Sequence, residues 1–258
     1  MIEIYKKLPR TNCGKCGVST CMAFAQKVKQ SRNKLSDCPF MDGDISRDVQ
    51  PDPDSASFSN YEQVSDALEK EATGMDFKEA AESIGGMYTS GDNRETIRLT
   101  MINKAYELRK EGLFENDTYC QDSWTKIIVY DYVRRKGSMA LSGDWIPLGH
   151  FPHTASHVKA FQSSAEKKIA NSFKNDLEGL KRRCAEVGAN EAKGKTKADY
   201  FCCFELLPRV PLYLSFWAAD EEFDAECRIL FDRSAEEYID IEYLAYLVER
   251  FVDKLVYE

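Results

Sequence analysis

Four of the nine cysteines lie in the first forty residues, as Cys13-Gly14-Lys15-Cys16, then Cys21, then Cys38-Pro39. The spacing C-x2-C-x4-C-x16-C gathers four thiols into one short stretch. Thiolates in fours hold iron–sulfur clusters, one sulfur ligand to each iron of a cubane, and they also hold structural zinc. Zinc sites of this size more usually pair two C-x2-C knuckles, whereas the second half here is a single Cys-Pro, so the spacing favours a cluster. The close triplet reads as a loop around one face of the cluster, with Cys38 returning from further along. Gly14 and Gly17 lack a Cβ, which lets the backbone turn tightly and bring N–H groups towards inorganic sulfides. The chemistry predicted is electron handling. Disulfides fit poorly, because the cysteine count is odd, no signal peptide is evident and no apolar run is long enough to span a bilayer. Those three observations predict a reducing, cytoplasmic setting.

The residues around the thiols carry a resemblance. Leu8-Pro9-Arg10-Thr11-Asn12-Cys13-Gly14-Lys15-Cys16-Gly17-Val18-Ser19-Thr20-Cys21-Met22-Ala23-Phe24-Ala25, closing at Cys38-Pro39, closely resembles the N-terminal iron–sulfur module of the corrinoid iron–sulfur protein large subunit of anaerobic one-carbon metabolism. A similar module occurs in an electron-transport subunit of the Rnf complex. The resemblance implies a [4Fe-4S] cluster on Cys13, Cys16, Cys21 and Cys38 and low-potential electron transfer. It covers about the first forty residues. The remaining two hundred or so are too few for a complete (β/α)8 barrel with ordinary loops. Instead Gly143-Asp144-Trp145, Phe204 to Trp217, Asp220-Glu221-Glu222-Phe223 and Ile229-Leu230-Phe231-Asp232 resemble a domain family that accompanies this module in anaerobic bacteria and archaea. That second resemblance implies an architecture and a context, and no reaction.

A second group of candidate ligands lies far from the first. All three histidines of the chain fall within eight residues, at His150, His153 and His157. If the segment is helical, His153 and His157 share a face at i and i+4, with His150 on a loop before Pro152 that folds over it. Three imidazoles so placed suit zinc, nickel, copper or iron, and one could serve as axial ligand to a corrinoid or haem. The bland reading is three surface histidines with ordinary hydrogen bonds.

Other motifs carry less. Cys202 and Cys203 alternate across a strand and so point to opposite faces, which suits packing better than a shared metal. Cys120, Cys184 and Cys227 read as core thiols. The acidic run Asp220-Glu221-Glu222, with Asp224 and Glu226 beyond it, reads as a solvated loop. No P-loop, nucleophile motif or G-x-G-x-x-G is present.

Charge is divided unevenly. Residues 1–41 hold eight Lys/Arg and two acids, a net +6, in a chain whose net charge is −8, leaving −14 for the remainder. Basic residues beside a four-thiolate cluster offset its negative charge and raise its potential. The acidic bulk repels a phosphate backbone, so nucleic acid is not expected as a partner. An acidic redox partner, or the chain's own acidic body, suits the basic module better, and a solvated charged face is the bland reading. The partner expected is a redox protein or a corrinoid or other metalloenzyme.

The elements that must position these groups follow from pattern. The 258 residues divide most simply into a cluster module at 1–41, an Asp/Ser/Pro-rich linker at 42–60 and a larger domain at 61–258. A short helix or turn at 2–7 leads into the cysteine loop. Ser19 or Thr20 caps a helix to about Lys34, with Met22, Phe24, Ala25 and Val28 as its apolar side. Residues 61–84 read as helical with an interruption at Gly74. Ile97, Leu99 and Met101 alternate with Arg98 and Thr100, predicting a strand that turns at Asn103-Lys104 into a second through Tyr106 and Leu108, with one helix over 94–111 as the competing reading. Helices are predicted at 122–135, 155–173 and 175–185, and a loop at 190–197. Strands follow at 200–207, 210–217 and 226–231, and an amphipathic helix at 241–256. Strands and helices in separate runs predict an α+β fold with an antiparallel sheet.

Three functions follow, the first favoured. The chain is an electron-transfer or redox-accessory protein, one concrete role being donation of low-potential electrons to a corrinoid. Alternatively it is a cluster-containing enzyme with a second metal or cofactor in the larger domain, or an interaction protein whose docking follows the cluster's redox state.

Overall fold

Short turns at positive φ set the register of the first sheet. The computed structural model describes residues 4, 8, 15–18, 21–29, 35–40, 58–91, 94–155, 157–192 and 197–257. The chain divides into two compact units, Met1–Gln63 and Val64–Glu258.

In the first unit, helix α1 spans Cys21–Lys29 and a single 3-10 turn spans Leu35–Asp37. Of the helix predicted at 2–7 only Ile4 is described, and it is helical. Ser19, Thr20 and residues 30–34 lie outside the described residues, as does the linker except for its end. Phe58–Asn60, predicted as linker, already belong to helix α2, Phe58–Thr73, which crosses the boundary between the units.

In the second unit, α2 gives way at Gly74 to helix α3, Phe77–Ile84. Asp76 caps α3, its carboxylate accepting from Glu79 N at 2.9 Å, and Phe77, Ala80, Ala81 and Ile84 are buried at helical spacing. Gly85 ends the helix at φ 72°, a left-handed position that glycine takes without strain.

Five antiparallel strands then form a meander: β1 Met87–Gly91, β2 Arg94–Met101, β3 Lys104–Arg109, β4 Gly112–Glu115 and β5 Thr118–Tyr119. The β2–β3 turn is Ile102-Asn103 and the β4–β5 turn is Asn116-Asp117, all four residues at φ between 47° and 61°. Positive φ at both central residues matches the twist of the flanking strands. The strained Ile102 is held from both sides: its N–H donates to Leu206 O at 2.9 Å, and its carbonyl accepts from Lys254 Nζ at 2.9 Å. The hairpin reading of 96–108 is correct, and the helical alternative over 94–111 is wrong because the apolar residues recur at every second position. Strands β1, β4 and β5 were not predicted.

Helix α4, Ser123–Arg135, carries Asp122 as its cap and is buried from Thr125 to Val133. Short strand β6 is Trp145–Ile146, and a 3-10 turn spans Leu148–His150. The helix predicted at 155–173 is observed as α5 Val158–Phe161, a π turn Gln162–Glu166 and α6 Lys167–Phe173, followed by α7 Leu177–Glu186. The loop predicted at 190–197 begins instead with strand β7, Asn190–Glu191; residues 193–196 lie outside the described ones. Strands β8 Tyr200–Leu207, β9 Val210–Trp217 and β10 Glu226–Asp232 complete a second antiparallel sheet in the order β6-β10-β9-β8-β7. Helices α8 Ala235–Tyr238 and α9 Ile241–Tyr257 end the chain. Leu244, Leu247, Val248, Phe251, Val252 and Leu255 give α9 one continuous buried stripe, with the Phe251 ring 4.5 Å from that of Phe204 on β8. The fold class is α+β, a small cysteine-rich module and a larger mixed domain. Among the described residues no helix is long and apolar enough to cross a membrane.

Candidate iron–sulfur site

Three of the four predicted cluster ligands converge. Cys21 opens α1 and is 6% exposed; Phe24 and Ala25, at i+3 and i+4, are buried on the same face, and Val28 continues it. The 3-10 turn returns the chain, with Cys38 N donating to Leu35 O at 3.2 Å, and leaves Cys38 5% exposed. Cys21 and Cys38 belong to one apolar cluster with Ile4, Leu8, Phe24 and Ala25, and Cys16, Val18, Val28 and Leu35 pack against it. Cys16, Cys21 and Cys38 are held as thiols. Cys13 and Gly14 lie outside the described residues, and so does the side chain of Met22. Gly17 has φ 75° with open space where a Cβ would stand, so it serves the turn rather than a close approach.

These residues fit an iron–sulfur cluster by the chemistry of their donors. Cys16, Cys21 and Cys38 offer three soft sulfur donors around one apolar cluster. Cys21 stands at the N-terminus of a nine-residue helix, where the partial positive charge favours an anionic ligand. Lys15 lies beside Cys16, with its ammonium 5.0 Å from the centroid of the Phe40 ring. Among the described residues no three His, Cys, Asp or Glu side chains stand in a group that could itself hold a metal ion. The three thiols border one apolar cluster without being drawn to a common point.

The histidines are arranged differently from the helical reading. Pro152 biases Phe151 to an extended conformation at ψ 151°, and His153 follows at φ 61°, so no helix runs through His153 and the i, i+4 face does not exist. His157 instead precedes the first turn of α5. His153 and His157 do line one cavity of about 370 Å³, with Arg135, Glu236, Asp240 and Glu242; His150 is not among its lining residues. Behind that cavity Arg135 reaches Asp131 Oδ2 and Asp240 Oδ2, each at 3.0 Å. Sequence reasoning missed Arg135, Asp240 and Glu236 because they come from two distant segments. The one local signal was Asp131 with arginines at i+3 and i+4.

The remaining cysteines behave as core. Cys202 is buried and its neighbour Cys203 only partly so, as strand alternation requires; Cys120, Cys184 and Cys227 are buried. The acidic run is an exposed turn, with Asp220 Oδ1 accepting from Glu222 N at 2.8 Å and Phe223 N at 2.7 Å.

Two family models match separate stretches of the chain. A family model described as "Domain of unknown function (DUF3786)" matches residues 76–254. The chain belongs to the DUF3786 family. A second model, described as "Putative Fe-S cluster", matches residues 8–40, the stretch that holds all four predicted ligands ahead of the DUF3786 domain. The acetyl-CoA decarbonylase/synthase complex subunit gamma of Methanosarcina acetivorans is 60% identical over 38 residues, 15% of this chain and 8% of that protein. The subunit gamma of Methanothermobacter thermautotrophicus is 49% identical over 43 residues, 17% of this chain and 9% of that protein. The corrinoid/iron-sulfur protein large subunit of Moorella thermoacetica is 48% identical over 40 residues, 16% of this chain and 9% of that protein. The chain thus covers less than a tenth of the length of these relatives. No solved structure matches the chain.

Proposed function

We propose that Cys13, Cys16, Cys21 and Cys38 hold a [4Fe-4S] cluster and that the protein passes single electrons at low potential to a corrinoid or other metalloenzyme partner of anaerobic one-carbon metabolism. The observation that carries this reading is the convergence of Cys16, Cys21 and Cys38 on one apolar cluster, inside the stretch shared with the gamma and corrinoid iron–sulfur subunits. When bound, such a cluster supplies reversible one-electron chemistry at low potential. The residues of the chain would set its surroundings. Phe24, Leu8 and Ile4 exclude water from the sulfurs, and the α1 N-terminus and the basic module offset negative charge. A reducing, cytoplasmic setting belongs to the same reading.

The test is anaerobic purification with iron and sulfide analysis, and visible and paramagnetic-resonance spectra before and after dithionite. About four irons and four sulfides per chain, with visible absorption that bleaches on reduction, are expected. Cys21→Ser and Cys38→Ser should each lower the iron content. One zinc and no colour would sink the reading.

The cavity at His153 and His157 favours a second reading, an enzyme whose DUF3786 domain binds a small polar ligand or a metal ion there. Equilibrium dialysis of zinc, nickel and cobalt against cluster-loaded protein and its His153→Ala/His157→Ala variant would test it. Equal metal content in the two proteins would remove it.

A further inference from the structure

Lys15 and Phe40 come from the two arms of chain that carry Cys16 and Cys38, and they meet at the surface. The Lys15 ammonium lies 5.0 Å from the centroid of the Phe40 ring, within cation–π range. Phe40 remains 50% exposed, and Lys15, Gly17 and Pro39 are exposed beside it. A Cβ on Gly17 would meet nothing within 4 Å, so the backbone at Gly17 is bare to solvent next to the partly buried Cys16. The result is an exposed aromatic with a cation over its ring, the cation one residue before Cys16 and the aromatic two after Cys38 along the chain. An exposed aromatic flanked by a positive charge is the composition of an interface anchor.

Charge selects the occupant. Residues 1–41 carry +6 and the remainder −14. An acidic protein is therefore drawn to the module and repelled by the rest of the chain, which orients its approach. We infer that the Lys15–Phe40 face is the docking surface for an acidic one-electron carrier protein, with Phe40 as apolar anchor and Lys15 as the charged contact. This inference rests on the cluster reading above, which supplies the reason for such a partner.

The test uses full-length protein purified without oxygen, its iron content measured first, and an acidic two-cluster ferredoxin as probe. Binding should weaken about tenfold or more between about 20 mM and about 200 mM salt. Lys15→Glu should weaken low-salt binding by about tenfold and flatten the salt dependence, whereas Phe40→Ala should weaken it about fivefold and leave the slope intact. Carbodiimide coupling, which joins a lysine amine to a carboxylate with loss of water, should link Lys15 to the ferredoxin, as located by mass spectrometry. If Lys15→Glu lowers the iron content, Phe40→Ala and the cross-link decide the matter.

Salt-independent binding, wild-type affinity in Phe40→Ala, or cross-links confined to other lysines would overturn the inference. Tighter binding to duplex DNA than to ferredoxin would do the same. Iron-loaded protein that fails these tests overturns the docking surface alone. Iron-free protein that passes them overturns the cluster reading alone.

Discussion

Arg135 Nε lies 3.0 Å from Asp131 Oδ2, one turn back along α4, and Asp131 is fully buried. The same carboxylate accepts from Arg134 at 2.6 Å and from the backbone N–H of Asp240 at 2.8 Å. Arg135 then reaches Asp240 itself, the residue before α9. One buried charge thus joins the C-terminal end of α4 to the start of α9, and its partners Arg135 and Asp240 line the His153/His157 cavity. Both arginines sit in the last turn of α4, where the helix dipole favours them.

Asp131→Ala would leave the Asp240 N–H without this acceptor and two guanidinium groups short of a counter-charge. Removing one partner of a buried pair costs about 3–5 kcal/mol, and the partial exposure of the arginines lowers that to about 2–4 kcal/mol here. Urea unfolding should show this loss, with Asp131→Asn losing less because its amide oxygen still accepts. A loss under about 1 kcal/mol in Asp131→Ala would contradict the network's importance.

Asp232 gives the protein an acid-sensitive joint. Its carboxylate accepts from Ser142 N at 2.9 Å and Oγ at 2.8 Å, Gly143 N at 2.6 Å, and Ser234 N at 2.9 Å and Oγ at 2.7 Å. Burial opposes its charge, but the hydrogen bonds from Ser234 and Ser142 outweigh it and hold the carboxyl down at about 2, against an ordinary 3.8. The folded value is below the unfolded one, so the stabilisation is present above the unfolded value and is lost as pH falls through the folded one. It amounts to about 2 kcal/mol. Asp232→Asn should be less stable than wild type at neutral pH, and the gap should close by about 2 kcal/mol between about pH 5 and about pH 2. A gap that stays constant over that range would refute the assignment.

Much of this fold was legible in the sequence, and the exceptions have physical causes. Strands β8 and β9 were read with their observed bounds because two nearly continuous apolar runs are separated only by Pro208-Arg209, which is their turn. Helix α4 was legible from Asp122 and the run behind it. Strands β4 and β5 were missed because they are four and two residues long, too short for a period to show, and the Asn116-Asp117 turn between them was not weighed. The histidine segment misled because His153, directly after Pro152, takes a left-handed φ of 61° and the helix starts only after His157. The cysteine spacing was the strongest local signal, and Cys16, Cys21 and Cys38 lie around one apolar cluster. The cavity was invisible because no pattern in one chain links Arg135 to residues a hundred positions later.

The three interior thiols Cys184, Cys202 and Cys227 should resist modification. A hydrogen bond with Cys184 and then burial push the Cys202 thiol up, and burial pushes Cys227 up. Cys203, partly buried on the opposite face of β8, is pushed up to about 11 by burial. The thiolate is the reactive form, so Cys202, Cys203 and Cys227 are slow nucleophiles near neutral pH, and Cys184 is shielded by its burial. Iodoacetamide labelling followed by peptide mapping should find Cys184, Cys202 and Cys227 unlabelled in native protein and labelled in guanidinium. Equal labelling of Cys202 in both states would show that the second sheet opens readily.

Gly112 tests whether close approach or backbone conformation dominates at the β3–β4 turn. It has φ 125°, and a Cβ there would stand 2.6 Å from Tyr119 Cε2 and 3.3 Å from Glu69 Oε1. Tyr119 cannot yield freely, because its hydroxyl donates to Glu69 Oε2 at 2.9 Å, and Tyr130 donates to the same oxygen at 2.7 Å. Tyr130 in turn accepts from Leu113 N at 3.1 Å, so pushing Tyr119 aside loosens the tie between α2 and the first sheet. Gly112→Ala should cost about 2–4 kcal/mol, combining overpacking with an unfavourable φ. The two contributions separate in a Tyr119→Leu background, where the ring is gone and the backbone conformation is unchanged. A cost that falls by half or more there identifies the ring contact as the larger cause; an equal cost assigns it to φ alone and removes the Glu69–Tyr119 tie from the explanation.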